Sequence, residues 1–253
     1  PDSSEVTMNK IFSSIIDNFM EAFDFPFEVK SLSSGLVSAT VELYSKICAE
    51  LLPTPAKIHY QFNLRDVSKV FQGILMIKSR QCKESVTMGH LWLHEASRVF
   101  ADRLVNETDN QWFRENSVDM MKRHLGGAAP AAGWEVDKLF GEEPVLFGFY
   151  MRAGVVPAIY EEAPELSKVK KIFNDFLSEY NDPSNKNESM DLVFFRAAIE
   201  HVSRIARILK QPRGNAMLIG NGGSGKQSLT KLGCIVSGAV FTQITLTQTF
   251  GIT

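Results

Sequence analysis

The chain has 253 residues, 44% of them hydrophobic and 22% charged, enough apolar content to bury one large core or two small ones. A formal net charge of −2 offers a nucleic acid no electrostatic support, and no apolar run approaches the roughly 20 residues of a membrane span. No stretch has the layout of a secretory signal.

Cys48, Cys82 and Cys234 stand singly, without CxxC spacing. They are expected to be buried small hydrophobes in a reducing compartment rather than metal or disulfide partners, which points to a soluble, cytosolic protein. The chain opens on Pro1 and stops at "FGIT" just after a β-like run, so it reads as a piece of something longer.

From Met8 onward, Ile11, Phe12, Ile15, Ile16, Phe19, Met20 and Phe23 form a stripe of helical period. A second stripe runs through Val37, Val41, Tyr44, Ile47, Cys48 and Leu51, and the prolines of "LLPTPAK" end it. The third helix is expected to start at Asn63, an N-cap with Asp66 three residues on, and to bury Val67, Val70, Phe71, Ile74 and Leu75. A fourth covers about 88 to 105, and a fifth Asp109 to Leu125. "GGAAPAAG" (126–133) is a turn-rich loop, and "VLFGFY" (145–150) reads as a strand. Helical spacing returns at Leu166, Val169, Phe173, Phe176 and Tyr180, with Pro164 in the first turn.

The polar run "NDPSNKNES" (181–189) is a linker and the main boundary. Beyond it Phe195, Ala198, Ile199, Val202, Ile205, Ala206 and Leu209 stripe another helix, with Arg196, Glu200 and Arg204 on its wet face. "AMLIG" then reads as a buried parallel strand and "VFTQITLT" (240–247) as a second. Helix, strand, glycine loop, helix, strand is the opening of a P-loop α/β domain.

Gly220, Gly225 and Lys226 match G-x-x-x-x-G-K, between that apolar run and a helical stretch. In such a loop, Gly220, Asn221, Gly222, Gly223, Ser224, Gly225, Lys226, Gln227 and Ser228 would line a phosphate cradle. Glycines let successive N–H groups point inward, the helix N-terminus adds positive potential, and the lysine ammonium reaches the β and γ phosphates. The alternative is a glycine turn without a ligand. Gln227 stands where Ser or Thr would ligate Mg²⁺; a carboxamide oxygen could do so, but with a longer reach and altered geometry, so nucleotide binding is expected while efficient hydrolysis is in doubt. No apolar run ending in acidic residues follows the loop, so these residues by themselves are not expected to be a competent ATPase. No residue is assigned as catalytic or as a metal ligand. His90 and His94 sit four apart on one helix, but "HEASR" is not HExxH, so a structural role is expected.

Three stretches, "HYQFNLRDVSKVFQGIL" (59–75), "LWLHEASRVFADRL" (91–104) and "AIEHVSRIARILKQPRGNAMLIGNGGSGKQSLTKL" (198–232), together resemble the motor ring of dynein heavy chains. The resemblance covers essentially the whole chain. A glutamine after the lysine is typical of the fourth AAA+ module in axonemal rather than cytoplasmic dyneins, which favours an inner- or outer-arm heavy chain.

The resemblance implies an α/β P-loop AAA+ fragment, with a mostly helical lid and the first strands of a parallel α/β nucleotide-binding subdomain. Residues 1–60 would be the last helices of the third module's large subdomain, 61–180 its lid with a β insertion, 181–189 a linker and 190–253 the start of the fourth module. It implies ATP or ADP with Mg²⁺ as cofactors. The implied partners are other AAA+ modules of the same chain, dynein intermediate and light chains, and microtubules reached through parts outside these residues; nucleic acid and membrane are not. The implied place is the cytoskeleton, in the axoneme of a cilium or flagellum.

On the same resemblance Arg98 is a candidate sensor arginine, reaching from the lid to the γ-phosphate of the third module. Alternatively Glu95, Arg98 and Asp102 merely lace a helix surface. Arg65 and Asp66 are expected to be a cap and interface pair rather than nucleotide contacts. Ile199 and Val202 would pack on an adenine ring or simply fill the core. Two rival functions stay open: a structural scaffold with an empty or permanently occupied site, and a stand-alone P-loop kinase or GTPase.

Overall fold

A computed structural model describes residues 5–127, 133–152, 154–185 and 189–244, and its contacts divide the chain into two compact units. The first comprises residues 1–148 and 154–165, the second 149–153 and 166–253. The compact division therefore falls at a different place from the polar run 181–189, part of which (186–188) lies outside the described residues. Where it is described, that run is a clamped loop: the Asn181 side chain donates to the Met190 carbonyl at 2.7 Å and accepts from its N–H at 2.9 Å.

In the first unit α1 (Glu5–Ala22) buries Met8, Phe12, Ile16 and Met20. The stripe is narrower than its apolar content: Ile11, Ile15 and Phe23 remain exposed, because neighbouring helices cover only one side of it. The short α2 (Phe27–Lys30), which periodicity does not reveal, leads into α3 (Ser33–Glu50). Cys48 on α3 is exposed, which corrects the expectation that all three cysteines are buried; Cys82 and Cys234 are. The helix turns its Ile47 side inward at that point and leaves the adjacent position in water.

Asn63 caps α4 (Leu64–Ile74) as expected: its side chain accepts from Arg65 N, and Asp66 accepts from Asn63 N at 3.0 Å. The buried carboxylate of Asp66 also receives both Arg103 nitrogens, so it serves as cap and interhelical pair together. Next, α5 (Ser85–Val99) stops short of the expected 105, passing into a single 3₁₀ turn over Ala101–Arg103. Asn106 caps α6 (Glu107–Leu125) through Asp109 N, and α7 (Val136–Phe140) follows. Of the expected loop 126–133, residues 128–132 lie outside the described residues.

Packing within this unit rests on a few close crossings. Phe12 stacks on Phe71 with centroids 4.6 Å apart, joining α1 to α4. The buried indole of Trp92 donates to Thr40 Oγ1 at 2.8 Å, and Thr40 donates onward to the Leu36 carbonyl, so the polar atoms between α5 and α3 are paired. At Gly35 α3 approaches α6 so closely that a Cβ would lie 2.3 Å from the His124 carbonyl oxygen. The strand expected over 145–150 is reduced to β1 (Phe147–Gly148), paired antiparallel with β2 (Glu161–Glu162).

The second unit is built on α8 (Leu166–Tyr180), α9 (Arg196–Lys210) and α10 (Lys226–Ser237). Pro164 precedes α8 by two residues instead of sitting in its first turn. Phe173 contacts the Tyr150 and Phe194 rings at 4.9 and 5.9 Å, and the Tyr150 hydroxyl meets Ser203 Oγ at 2.7 Å. Gly233 lets α10 lie directly on α9, since a Cβ there would fall 2.5 Å from Ile205 Cγ2.

Candidate phosphate-binding site

The loop is held between two helices of the second unit. After α9 the chain turns at Gln211–Gly214, with Gly214 N donating to the Gln211 carbonyl and Arg213 at φ 57°. Residues 216–220, expected as a parallel strand, form none, and neither do 240–244; residues 245–247 of that second run lie outside the described residues. A strand exists through its ladder, and no described segment pairs with either run. Met217, Ile219, Val240 and Ile244 consequently stand exposed.

The glycine loop itself is formed. Gly223 and Gly225 both adopt φ 78°, a conformation that glycine takes without steric cost, and Gly225 is the N-cap of α10. No side chain caps that helix, so its first-turn N–H groups are available to an incoming acceptor. The Lys226 ammonium folds back over the loop and donates to the carbonyls of Gly220 (2.7 Å) and Asn221 (2.6 Å) and to Ser224 Oγ (3.2 Å). Ser224 closes the turn by donating to the Asn221 carbonyl at 2.9 Å. Thr230, which carried no sequence expectation, donates to the Lys226 carbonyl at 2.7 Å and anchors the start of the helix. That i,i+4 hydroxyl contact is visible only once the helix start is known.

This arrangement fits a phosphate. A Cβ at Gly222 or Gly223 would meet nothing within 4 Å, so the mouth of the loop is open. A Cβ at Gly220, by contrast, would crowd Ser224 Oγ at 3.0 Å and approach Lys226 Nζ at 3.6 Å. All three ammonium donors converge on neutral oxygens, and a phosphate would exchange these for charge-assisted bonds, roughly twice as strong. Gln227 is exposed and Ser228 half-buried on the first turn of α10.

The other candidate residues lie in the first unit, except Ile199 and Val202 on α9 of the second. Arg98 on α5 is nearly buried and pairs with Asp102 at 3.3 Å. Glu95 is not on the helix surface, which corrects that part of the lacing alternative. It is fully buried, accepts from the Tyr160 hydroxyl, and occupies the space left by Gly73. His90 Nδ1 meets Glu162 at 2.8 Å, and His94 meets the Val145 carbonyl at 3.3 Å, so both tie α5 to the segments around the hairpin. Among the described residues no group of His, Cys, Asp and Glu is arranged to hold a metal, and no helix is long and apolar enough to cross a membrane. Ile199 and Val202 are buried within α9's packed face.

A helical first unit with capped, closely crossed helices, followed by a glycine loop closed by its lysine at a helix N-terminus, defines an AAA+ type of P-loop protein. In agreement, residues 36–128 match the AAA+ lid domain, and residues 190–253 match the P-loop containing dynein motor region D4. The chain is 42% identical over 250 residues to human dynein axonemal heavy chain 6, covering 98% of this chain and 6% of that one. It is 38% identical over 253 residues to the dynein beta chain of the Chlamydomonas reinhardtii flagellar outer arm, covering 99% and 5%. To mouse dynein axonemal heavy chain 12 it is 39% identical over 263 residues, covering 98% and 8%. The chain belongs to the dynein heavy chain family, and it spans 5% to 8% of the length of these relatives.

Proposed function

We propose that residues 220–228 form a regulatory nucleotide-binding station, taking ATP or ADP, in the motor ring of an axonemal dynein heavy chain. The observation that carries this reading is the convergence of the three Lys226 donors over a loop with two left-handed glycines at an uncapped helix N-terminus. In this reading residues 1–60 close the large part of the third AAA+ module, 61–180 are its lid, 181–189 are the linker and 190–253 open the fourth module. The packing of α8 against α9 and α10 then makes the last lid helix the contact with the next module. Arg98 is the lid residue proposed to sense the preceding module's γ-phosphate, its guanidinium oriented by Asp102. The whole motor would act on microtubules, with intermediate and light chains, in the axoneme.

Gln227 favours a second reading, a ring scaffold whose site is degenerate or permanently filled. One experiment separates the two. The intact heavy chain is treated with acetic anhydride over a series of ATP concentrations, and acetylation of Lys226 is read by mass spectrometry. A regulatory site protects Lys226 reversibly as ATP rises. Constant reactivity, high or low, at every ATP concentration rejects that reading and leaves the scaffold.

A further inference from the structure

The phosphate and the divalent cation make separate demands on the loop, and its donors answer the first directly. Magnesium requires near-octahedral oxygen ligands and sheds water reluctantly, so a P-loop offers it the hydroxyl that follows the lysine. That position holds Gln227, whose exposed carboxamide makes no hydrogen bond to another described residue. The neighbouring hydroxyls do not replace the missing one. Thr230 Oγ1 lies a turn into α10, where it donates to the Lys226 carbonyl, and Ser224 Oγ precedes the lysine and donates to the Asn221 carbonyl, so neither stands at the position after the lysine. Ser228 is one position further along α10, turned about 100° round the helix.

The sequence on either side of the loop is cationic. Between α9's Glu200, which pairs with Arg204, and the end of α10 the charged residues are Arg204, Arg207, Lys210, Arg213, Lys226 and Lys231, all cationic. The donor set is that of an anion site: ammonium, N–H groups and a positive helix end.

Resting on the nucleotide reading above, we infer that this loop binds its polyphosphate without a divalent cation, and that the Gln227 carboxamide takes the cation's place by donating N–H to a phosphate oxygen. A carboxamide is suited to this exchange because it carries two donors where serine and threonine carry one, and it brings no negative charge to repel the ligand. The site then senses nucleotide independently of free magnesium, unlike a loop with a hydroxyl at that position.

The test uses the intact heavy chain, ATP as the only added ligand, and Lys226 acetylation as a readout confined to this loop. ATP titrations are run with excess Mg²⁺ and with excess EDTA, on wild type and on Gln227→Thr. Gln227 is exposed, so the substitution leaves the fold in place, which an unchanged melting curve verifies. The half-protecting ATP concentration in wild type is expected to move by less than about threefold on chelation, and in Gln227→Thr by about tenfold or more. A wild-type shift of about tenfold, or a threonine variant that behaves as wild type does, overturns the inference while leaving the nucleotide site intact. Absence of ATP protection in either buffer overturns the nucleotide reading and this inference with it.

Discussion

Gly35 offers the sharpest quantitative check on the helix packing. It sits in the first turn of α3, where alanine is worth roughly 0.5–1 kcal/mol more than glycine in helix propensity. On that ground alone Gly35→Ala stabilises. The crossing with α6 opposes it: the new Cβ would lie 2.3 Å from the His124 carbonyl oxygen and 3.0 Å from Leu125 Cδ2. The nearer obstacle is backbone, which has no rotamer to yield, so the helices must part by about 1 Å to restore an ordinary contact; a gap of that size forfeits a quarter to a half of each dispersion well it opens. Overpacking costs about 1–3 kcal/mol, and a backbone obstacle puts this site in the upper half of that range, leaving a net loss of about 1–2.5 kcal/mol after the propensity gain. For a unit of this size that is a fall of about 3–8 °C in melting temperature. All three tryptophans, Trp92, Trp112 and Trp134, belong to the first unit, so their fluorescence reports its unfolding separately. A melting temperature equal to or above wild type would refute the crossing geometry, because propensity alone gives that sign.

Other expectations follow from single sites. Burial alone would raise the pKa of Asp109, but hydrogen bonds from Lys57 and Tyr60 and the Lys57 charge outweigh it and hold the carboxyl below its ordinary value. A folded value below the unfolded one contributes stability that is complete above about pH 4 and fades as pH falls through the folded value. Asp109→Asn should therefore cost about 2 kcal/mol in urea titrations at neutral pH and progressively less in acid, and a cost independent of pH would contradict the pairing. Asp66→Ala removes a cap acceptor and strands the Arg103 guanidinium, so urea unfolding should show a loss of about 3 kcal/mol. Gly225→Ala forces a side chain to φ 78°, about 1–2 kcal/mol of local strain, and should weaken ATP protection of Lys226. Burial, with the Glu162 charge nearby, pushes the Cys82 thiol up to about 12. Ellman's reagent at pH 8 should therefore find one fast thiol, Cys48, and leave Cys82 unreacted until the protein unfolds.

What the amino-acid sequence determined alone is what depends on neighbours along the chain. The Asn63 and Asp66 cap, the start of α10 at the P-loop lysine and the inner positions of the α4 and α9 stripes rest on side chains within one or two turns of each other, so spacing suffices to read them. The ends of the stripes differ: Phe195 and Leu209 of the α9 stripe are exposed and Leu75 is half-buried. The contacts of Lys226 with Gly220 and Asn221 are as local, but spacing pointed the ammonium at phosphate and not at these carbonyls. Tertiary structure decided everything that needs a distant partner. It left Ile11, Ile15 and Cys48 in water, because no described helix covers that side of their stripes. It buried Glu95, a charged residue on a pattern that reads as surface, because Gly73 of α4 leaves room and Tyr160 supplies a donor. It withheld the strands from "AMLIG" and 240–244, because β structure is a relation between segments and no described segment pairs with either. Local hydrogen bonding and period are written in order along the chain, whereas burial and pairing are set by which surfaces meet.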